Sequence, residues 1–145
     1  YYPGTVVAGG TKADTLEIYG ALSWKWLTAK YSHSIGNKTF GVANSRDTYY
    51  LDLTATVPVT DKLSLVAHYG IQEFDGSTAA GVSNDSFASY KDWKLGVSYA
   101  LPKDFTIGAF ATGTDMNATQ KAFYTTVNGR QVGKDAFVVY LSKTF

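Results

Sequence analysis

Seven stretches of this chain alternate apolar and polar residues with a period of two, and the connections between them run alternately short and long. The stretches are Thr15 to Trp24, Leu27 to Ile35, Asp47 to Val57, Leu63 to Phe74, Tyr90 to Leu101, Phe105 to Gly113 and Ala136 to Phe145. Successive side chains on a β-strand point to opposite faces, so each stretch reads as a strand with one apolar and one polar side. The short connections lie around Lys25, at Pro58 to Lys62 and at Pro102 to Asp104; the long ones are Gly36 to Arg46, Asp75 to Ser89 and Thr114 to Asp135. A meander built this way gathers the short turns at one end and the long loops at the other. Transmembrane barrels with short periplasmic turns and long outer loops have this organisation, with strands of about nine to eleven residues.

Periodicity alone does not say which face meets water, because soluble lipocalin-like barrels alternate in the same way. Face chemistry separates the two. Leu51, Leu53, Ala55 and Val57 share one side of their strand and Leu95, Val97, Tyr99 and Leu101 one side of theirs. The opposite sides are Thr, Ser, Gly and Tyr with few charges. Charged residues are 17% of the chain and aromatics 15%, and a soluble exterior normally carries more Lys and Glu. Aromatics fall near strand ends: Trp24, Trp26, Tyr99, Phe105 and Phe145 by the short turns, and Tyr49, Tyr69, Phe74, Tyr90, Trp93 and Phe137 by the long loops. Two such belts are what a bilayer selects. A formal charge of +1 without a basic run excludes a nucleic-acid partner. Cysteine is absent, and no run of eighteen apolar residues could form a membrane helix.

The last strand runs to the final residue, with Phe137, Val139, Leu141 and Phe145 on one face and Lys143 as the exception. In a closed barrel such a strand is the seam that pairs with the first, and these four residues form a candidate carboxyl-terminal assembly signal. If the short turns are periplasmic, the first and last of the seven strands both run downward. Seven cannot close an ordinary even-numbered barrel, so a preceding strand ending near Tyr2 is expected, with Pro3 to Asp14 as its loop.

Several segments, taken together and in order, resemble the TorF porin family of bacterial outer-membrane proteins. They are Glu17-Ile18-Tyr19-Gly20 with Thr28-Ala29-Lys30-Tyr31-Ser32, Tyr49-Tyr50-Leu51-Asp52-Leu53, Asp61-Lys62-Leu63-Ser64-Leu65 with His68-Tyr69-Gly70, Asp92-Trp93-Lys94-Leu95-Gly96-Val97, and Leu141-Ser142-Lys143-Thr144-Phe145. The resemblance implies a barrel of about twelve strands, longer at the amino end, of which this chain is the carboxyl-terminal part. It carries over no catalytic or ligand residues. Lys143 departs from the apolar residue usual third from the end of an outer-membrane protein; a lysine snorkelling at the interface is tolerated.

The candidate lumen-lining residues are Glu17, Lys30, Asp52, His68, Asp92 and Lys94, of mixed sign, so strong ion selectivity is not expected. Pairing Val57 with Leu63 would set Asp52 directly opposite His68, either as a pore-lining acid and base or as an ordinary cross-strand hydrogen bond. Pairing Leu101 with Phe105 would set Gly96 opposite Phe110, giving an inward ring room over bare backbone. His33, near several serines, raises the possibility of a lipid-modifying enzyme, but no nucleophile elbow or other catalytic spacing accompanies it, and no enzyme is expected. Asp75, Asp85 and Asp115 are too scattered for a calcium loop, and no metal or cofactor is expected. Asn37-Lys38-Thr39, Asn84-Asp85-Ser86 and Asn117-Ala118-Thr119 match the glycosylation pattern by chance in a bacterial chain.

The expected fold is therefore all-β, an antiparallel up-and-down transmembrane β-barrel of about seven strands in this chain, in a single domain over 1–145. The expected function is a bacterial outer-membrane channel passing small polar solutes, with outer-membrane lipid and the barrel-assembly machinery as its other partners. The alternatives are a structural or adhesive barrel with a plugged lumen and partner-binding loops, and, further off, a soluble ligand-binding barrel.

Overall fold

The computed structural model describes residues 12–145. The strand end expected near Tyr2 and the expected Pro3 to Asp14 loop as far as Thr11 thus lie outside the described residues. The chain runs through β1 (Glu17–Trp24), β2 (Leu27–Ser34), β3 (Lys38–Thr39), β4 (Val42–Ala43), β5 (Tyr49–Pro58), β6 (Leu63–Glu73), α1 (Asp85–Ala88), β7 (Tyr90–Leu101), β8 (Phe105–Asp115), α2 (Ala118–Phe123) and β9 (Ala136–Lys143). All seven long strands join one antiparallel sheet in the order β1-β2-β5-β6-β7-β8-β9, and β3 pairs with β4 in a separate hairpin. Sequence neighbours are spatial neighbours throughout, as short turns dictate.

The turns explain the order. Lys25 adopts φ 53°, and Lys103 and Asp104 adopt φ 62° and 61°. Left-handed turn residues bend a hairpin in the sense of the strand twist, which brings the flanking strands into register. Pairing Leu101 with Phe105 does set Gly96 opposite Phe110. The β5–β6 register differs from expectation. Pro58 faces Ser64 and Val57 faces Leu65, so Asp52 lies opposite Gly70, and His68 opposite Thr54. The reason is that Pro58 continues the strand instead of ending it. In β5 the even-numbered amides point toward β2, as Thr56 does in donating to the Trp26 carbonyl at 2.8 Å. Beyond Trp26 the chain of β2 has turned away, so the missing N–H of Pro58 leaves no ladder bond unmade. Val59 then donates to Leu63 at 2.8 Å, and the Thr60 hydroxyl accepts from the amides of Lys62 and Leu63.

The fold is all-β and antiparallel, and among the described residues the sheet does not close on itself, as expected of seven strands. Among the described residues β1 and β9 are the sheet edges. Both run from the loop end to the turn end, so pairing them directly would be parallel, unlike every other pairing in the sheet.

The long connections hold structure that alternation could not reveal. The first contains the β3–β4 hairpin, the second α1 and a bridge between Ser77 and Ser83, and the third α2. In the third, Asn128-Gly129 forms a tight turn closed by a single bridge, Thr125 to Gln131. These loops pack on one another at one end of the sheet. Val42, Phe74 and Ala88 form a small buried cluster with Phe87 against it, and Phe87 meets Phe123 edge-on at 5.1 Å. Asn84 is fully buried, and its Nδ2 donates to the carbonyls of Ala43, Asn44 and Asp75 at 3.1, 3.2 and 2.9 Å. One amide thus ties two loops together. Asn117 caps α2, accepting from the Gln120 amide at 2.9 Å while the Gln120 side chain accepts from the Asn117 amide.

Candidate functional site

Register fixes which side chains share a face. The ladder partners Glu17 and Ser34, Lys30 and Asp52, and His68 and Lys94 all lie on the polar face, with Asp92 two residues from Lys94 on the same strand. All six candidate lumen-lining residues are therefore on one side of the sheet. Two rows carry the chemistry. One is Lys30, Asp52, Gly70, Asp92 and Thr114; the adjacent one is Thr28, Thr54, His68, Lys94 and Thr112.

His68 is the centre of a network between β5, β6 and β7. Its Nε2 lies 2.7 Å from Asp92 Oδ1 and its Nδ1 3.2 Å from Asp52 Oδ1, so each ring nitrogen faces a carboxylate. The Thr54 hydroxyl donates to Asp52 at 2.7 Å and lies 3.1 Å from Nδ1. The Tyr50 hydroxyl donates to the second oxygen of Asp92 at 2.9 Å and lies 3.2 Å from Nε2. Asp52 and His68 thus meet, diagonally rather than face to face. Gly70 makes room for this. A Cβ there would stand 2.2 Å from the Tyr50 hydroxyl and 2.3 Å from Asp92 Oδ2. Tyr50, Thr54 and Gly70 belong to the site although sequence reasoning did not select them; a glycine between two acid-bearing strands on the polar face was the available signal.

Neither lysine joins the acids. Lys30 Nζ lies over the Tyr19 ring at 4.5 Å and Lys94 Nζ over the Phe110 ring at 5.3 Å. Glu17 stands at the loop end of β1, away from the network. Toward the short turns the face becomes aromatic: Phe110 stands opposite Gly96, the Tyr140 ring covers Gly108, and the two ring centroids are 6.1 Å apart.

The opposite face is apolar from β1 to β9 and exposed. Leu22 is 77% accessible, Leu95 60%, Leu141 63% and Phe137 72%, with Ile18, Leu53, Leu65, Val97, Ile107 and Val139 also open. Trp24 and Tyr99 mark it near the turns, and Tyr31, Tyr69 and Trp93 near the loops. Phe74 and Tyr90, expected in that belt, are not in it. Both follow the polar face's parity; Phe74 is buried under the loops, and Tyr90 packs edge-on against Tyr124. Phe137, Val139 and Leu141 lie on the apolar face, and Lys143 Nζ sits over the rings of Phe105 and Phe145 at 5.2 and 4.7 Å. His33 is on this face too, 3.2 Å from Asp47 Oδ1 and beside Tyr31. Ser32 and Ser34 point to the other side, so the hydroxyls nearest His33 in sequence are not its neighbours in space. Among the described residues no group of three or more acidic or histidine side chains is arranged to hold a metal.

Outside the sheet, the Lys38 ammonium, 2.8 Å from Asp14, holds that carboxyl below its ordinary range despite the opposing effect of burial, with Lys12 helping. Burial pushes the Tyr124 phenol well above the usual tyrosine range, and its hydroxyl donates to the Ala88 carbonyl at 2.5 Å.

The chain belongs to a family described as bacterial protein of unknown function (Gcw_chp), whose model it matches over residues 1–145. No curated protein and no solved structure matches it.

Proposed function

We propose that this Gcw_chp chain forms part of the wall of a bacterial outer-membrane channel through which small polar solutes diffuse passively. One observation carries the reading: an apolar face, with polar residues such as His33 and Lys143 only toward its two ends, is exposed from β1 to β9 while Lys30, Asp52, His68, Asp92 and Lys94 all turn to the other side. Water would expel the first face and hydrocarbon the second, and a bilayer-spanning wall satisfies both. The dimensions agree. The twelve residues of β7, at a rise of about 3.3 Å and a tilt of about 40°, cover about 28 Å, near the roughly 25 Å of an outer-membrane apolar band. Paired acids, a histidine and lysines without carboxylate partners give a wet lining of mixed sign, suited to polar solutes without strong ion selection. The resemblance to the TorF porin family supports the same reading.

A second reading, a structural or adhesive barrel with a plugged lumen, draws on the loops. Their own buried cluster of Val42, Phe74 and Ala88 makes them an ordered cap, and Phe110 and Tyr140 narrow the polar side. Single-channel recording of the full-length protein in planar bilayers separates the two: discrete openings support the channel, and an electrically silent, correctly folded barrel sinks it. A protein that stayed monomeric in water without detergent would instead support a soluble ligand-binding barrel.

A further inference from the structure

On the turn side of the histidine network, the polar face holds a second arrangement that the network does not use. Val66, Lys94, Gly96, Phe110 and Tyr140 line a cavity of about 260 Å³. The Tyr140 ring lies on bare backbone, since a Cβ at position 108 would come within 2.5 Å of it, and Phe110 stands opposite Gly96, where a Cβ would come within 2.5 Å of Phe110 Cβ. The rings are inclined by 52° with centroids 6.1 Å apart, a tilted aromatic contact that presents a joint apolar surface to the cavity. Lys94 stands over Phe110 at 5.3 Å. The nearest acids on this face are engaged elsewhere, Asp92 with His68 and Tyr50, and Asp52 with Thr54 and His68. Among the described residues no carboxylate lies within ion-pair distance of Lys94.

We infer that this cavity is a subsite for a small aromatic carboxylate in transit, its ring against Phe110 and Tyr140 and its carboxylate on Lys94. The inference rests on the polar face lining a lumen and gives that lumen a solute class. A cation is disfavoured because the Lys94 ammonium stands beside the rings and would repel it. An anion without a ring would leave the aromatic pair unused, and a neutral aromatic would leave the ammonium unpaired. The volume limits the solute to about one ring with its substituents, being below the roughly 300 Å³ at which drug-sized pockets begin.

The test is binding of sodium benzoate to the detergent-solubilised full-length protein by saturation-transfer NMR, with acetate and benzyl alcohol as comparators, followed by bilayer recording. Benzoate should bind about fivefold more tightly than either comparator. Lys94→Met should cost benzoate about fivefold and leave benzyl alcohol unchanged, Lys94→Arg should retain benzoate, and Phe110→Leu should weaken both ring compounds. Heat-modifiable gel mobility checks that each variant folds. Benzoate binding no tighter than acetate, or unchanged in a folded Lys94→Met protein, overturns the subsite. Conducting channels indifferent to benzoate overturn the subsite and leave the channel standing; benzoate binding in a folded protein that never conducts supports the subsite and sinks the channel.

Discussion

Replacing Gly70 by alanine should cost this protein about 2 kcal/mol, because the space a methyl group would need is occupied by the histidine network. The new Cβ would lie 2.2 Å from the Tyr50 hydroxyl and 2.3 Å from Asp92 Oδ2, where ordinary contact requires about 3.5 Å. Both groups must withdraw by about 1 Å. That breaks the Tyr50–Asp92 bond of 2.9 Å and loosens the His68–Asp92 contact of 2.7 Å. A hydrogen bond to a charged group contributes about 1.5–3 kcal/mol, and alanine returns about 0.5–1 kcal/mol by restricting the unfolded chain. With one bond lost and one weakened, about 2 kcal/mol remains, roughly a thirtyfold shift in the folding equilibrium. Gly20→Ala is the matched control, since nothing lies within 4 Å of a Cβ built there; with no clash to oppose it, it should stabilise by about 0.5–1 kcal/mol through the unfolded chain. The assay is urea unfolding of protein refolded into lipid vesicles, followed by tryptophan fluorescence. In a Tyr50→Phe background the clashing hydroxyl is gone, so the Gly70→Ala penalty should fall by about half. A Gly70→Ala midpoint equal to wild type, or a penalty undiminished by Tyr50→Phe, refutes the argument.

Two further outcomes concern the loop cap. Asn84→Ala removes three hydrogen bonds from a fully buried amide and leaves three carbonyls short of a donor; it should cost about 2–3 kcal/mol locally and appear as faster proteolysis within 75–89, with the sheet intact. Tyr124 carries a raised pKa from burial, so its contribution is fully present below the ordinary tyrosine pKa of about 10 and is lost as pH rises from there toward the folded value. In an absorbance titration of tyrosinate, Tyr124→Phe should lose one late-ionising group relative to wild type, and loosening of the third loop should accompany that group's ionisation in the wild-type protein.

What the sequence made legible was whatever depends on a period of two. The strands came out within about two residues because Leu51 to Val57 or Trp93 to Leu101 can keep apolar atoms on one side only as strands, and turn residues such as Pro102-Lys103-Asp104 marked their ends. The loops had no such regularity. Nothing periodic announces α2, whose stability comes from the Asn117–Gln120 capping pair, or α1, a single turn ordered by Asn84 and by contact with α2. Phe74 and Tyr90 were read as membrane-belt aromatics because position along a strand is visible in a sequence while burial beneath a loop is not. The site was half legible. The charged members were chosen for their chemistry; Tyr50, Thr54 and Gly70 belonged to the Thr, Ser, Gly and Tyr lining of the polar face, with nothing to single them out.

The register error at Pro58 shows why the site survived being misaligned. Taking Val57 opposite Leu63 instead of Leu65 displaces β6 by two residues, which leaves every side chain on its correct face, whereas a displacement of one would have moved His68 among the leucines. The face is fixed by hydrophobic pattern, but the step along the strand is fixed by turn chemistry, here by a proline whose missing amide falls where β2 no longer runs. An Asp52–His68 contact was therefore within reach from either register, because neighbours two residues apart on facing strands remain close enough for an imidazole and a carboxylate to meet. What the correct step adds is the place of Gly70. Only with Asp52 opposite Gly70, and Gly70 opposite Asp92, does the small residue open a gap in which His68 can hold both acids and Tyr50 can close the network.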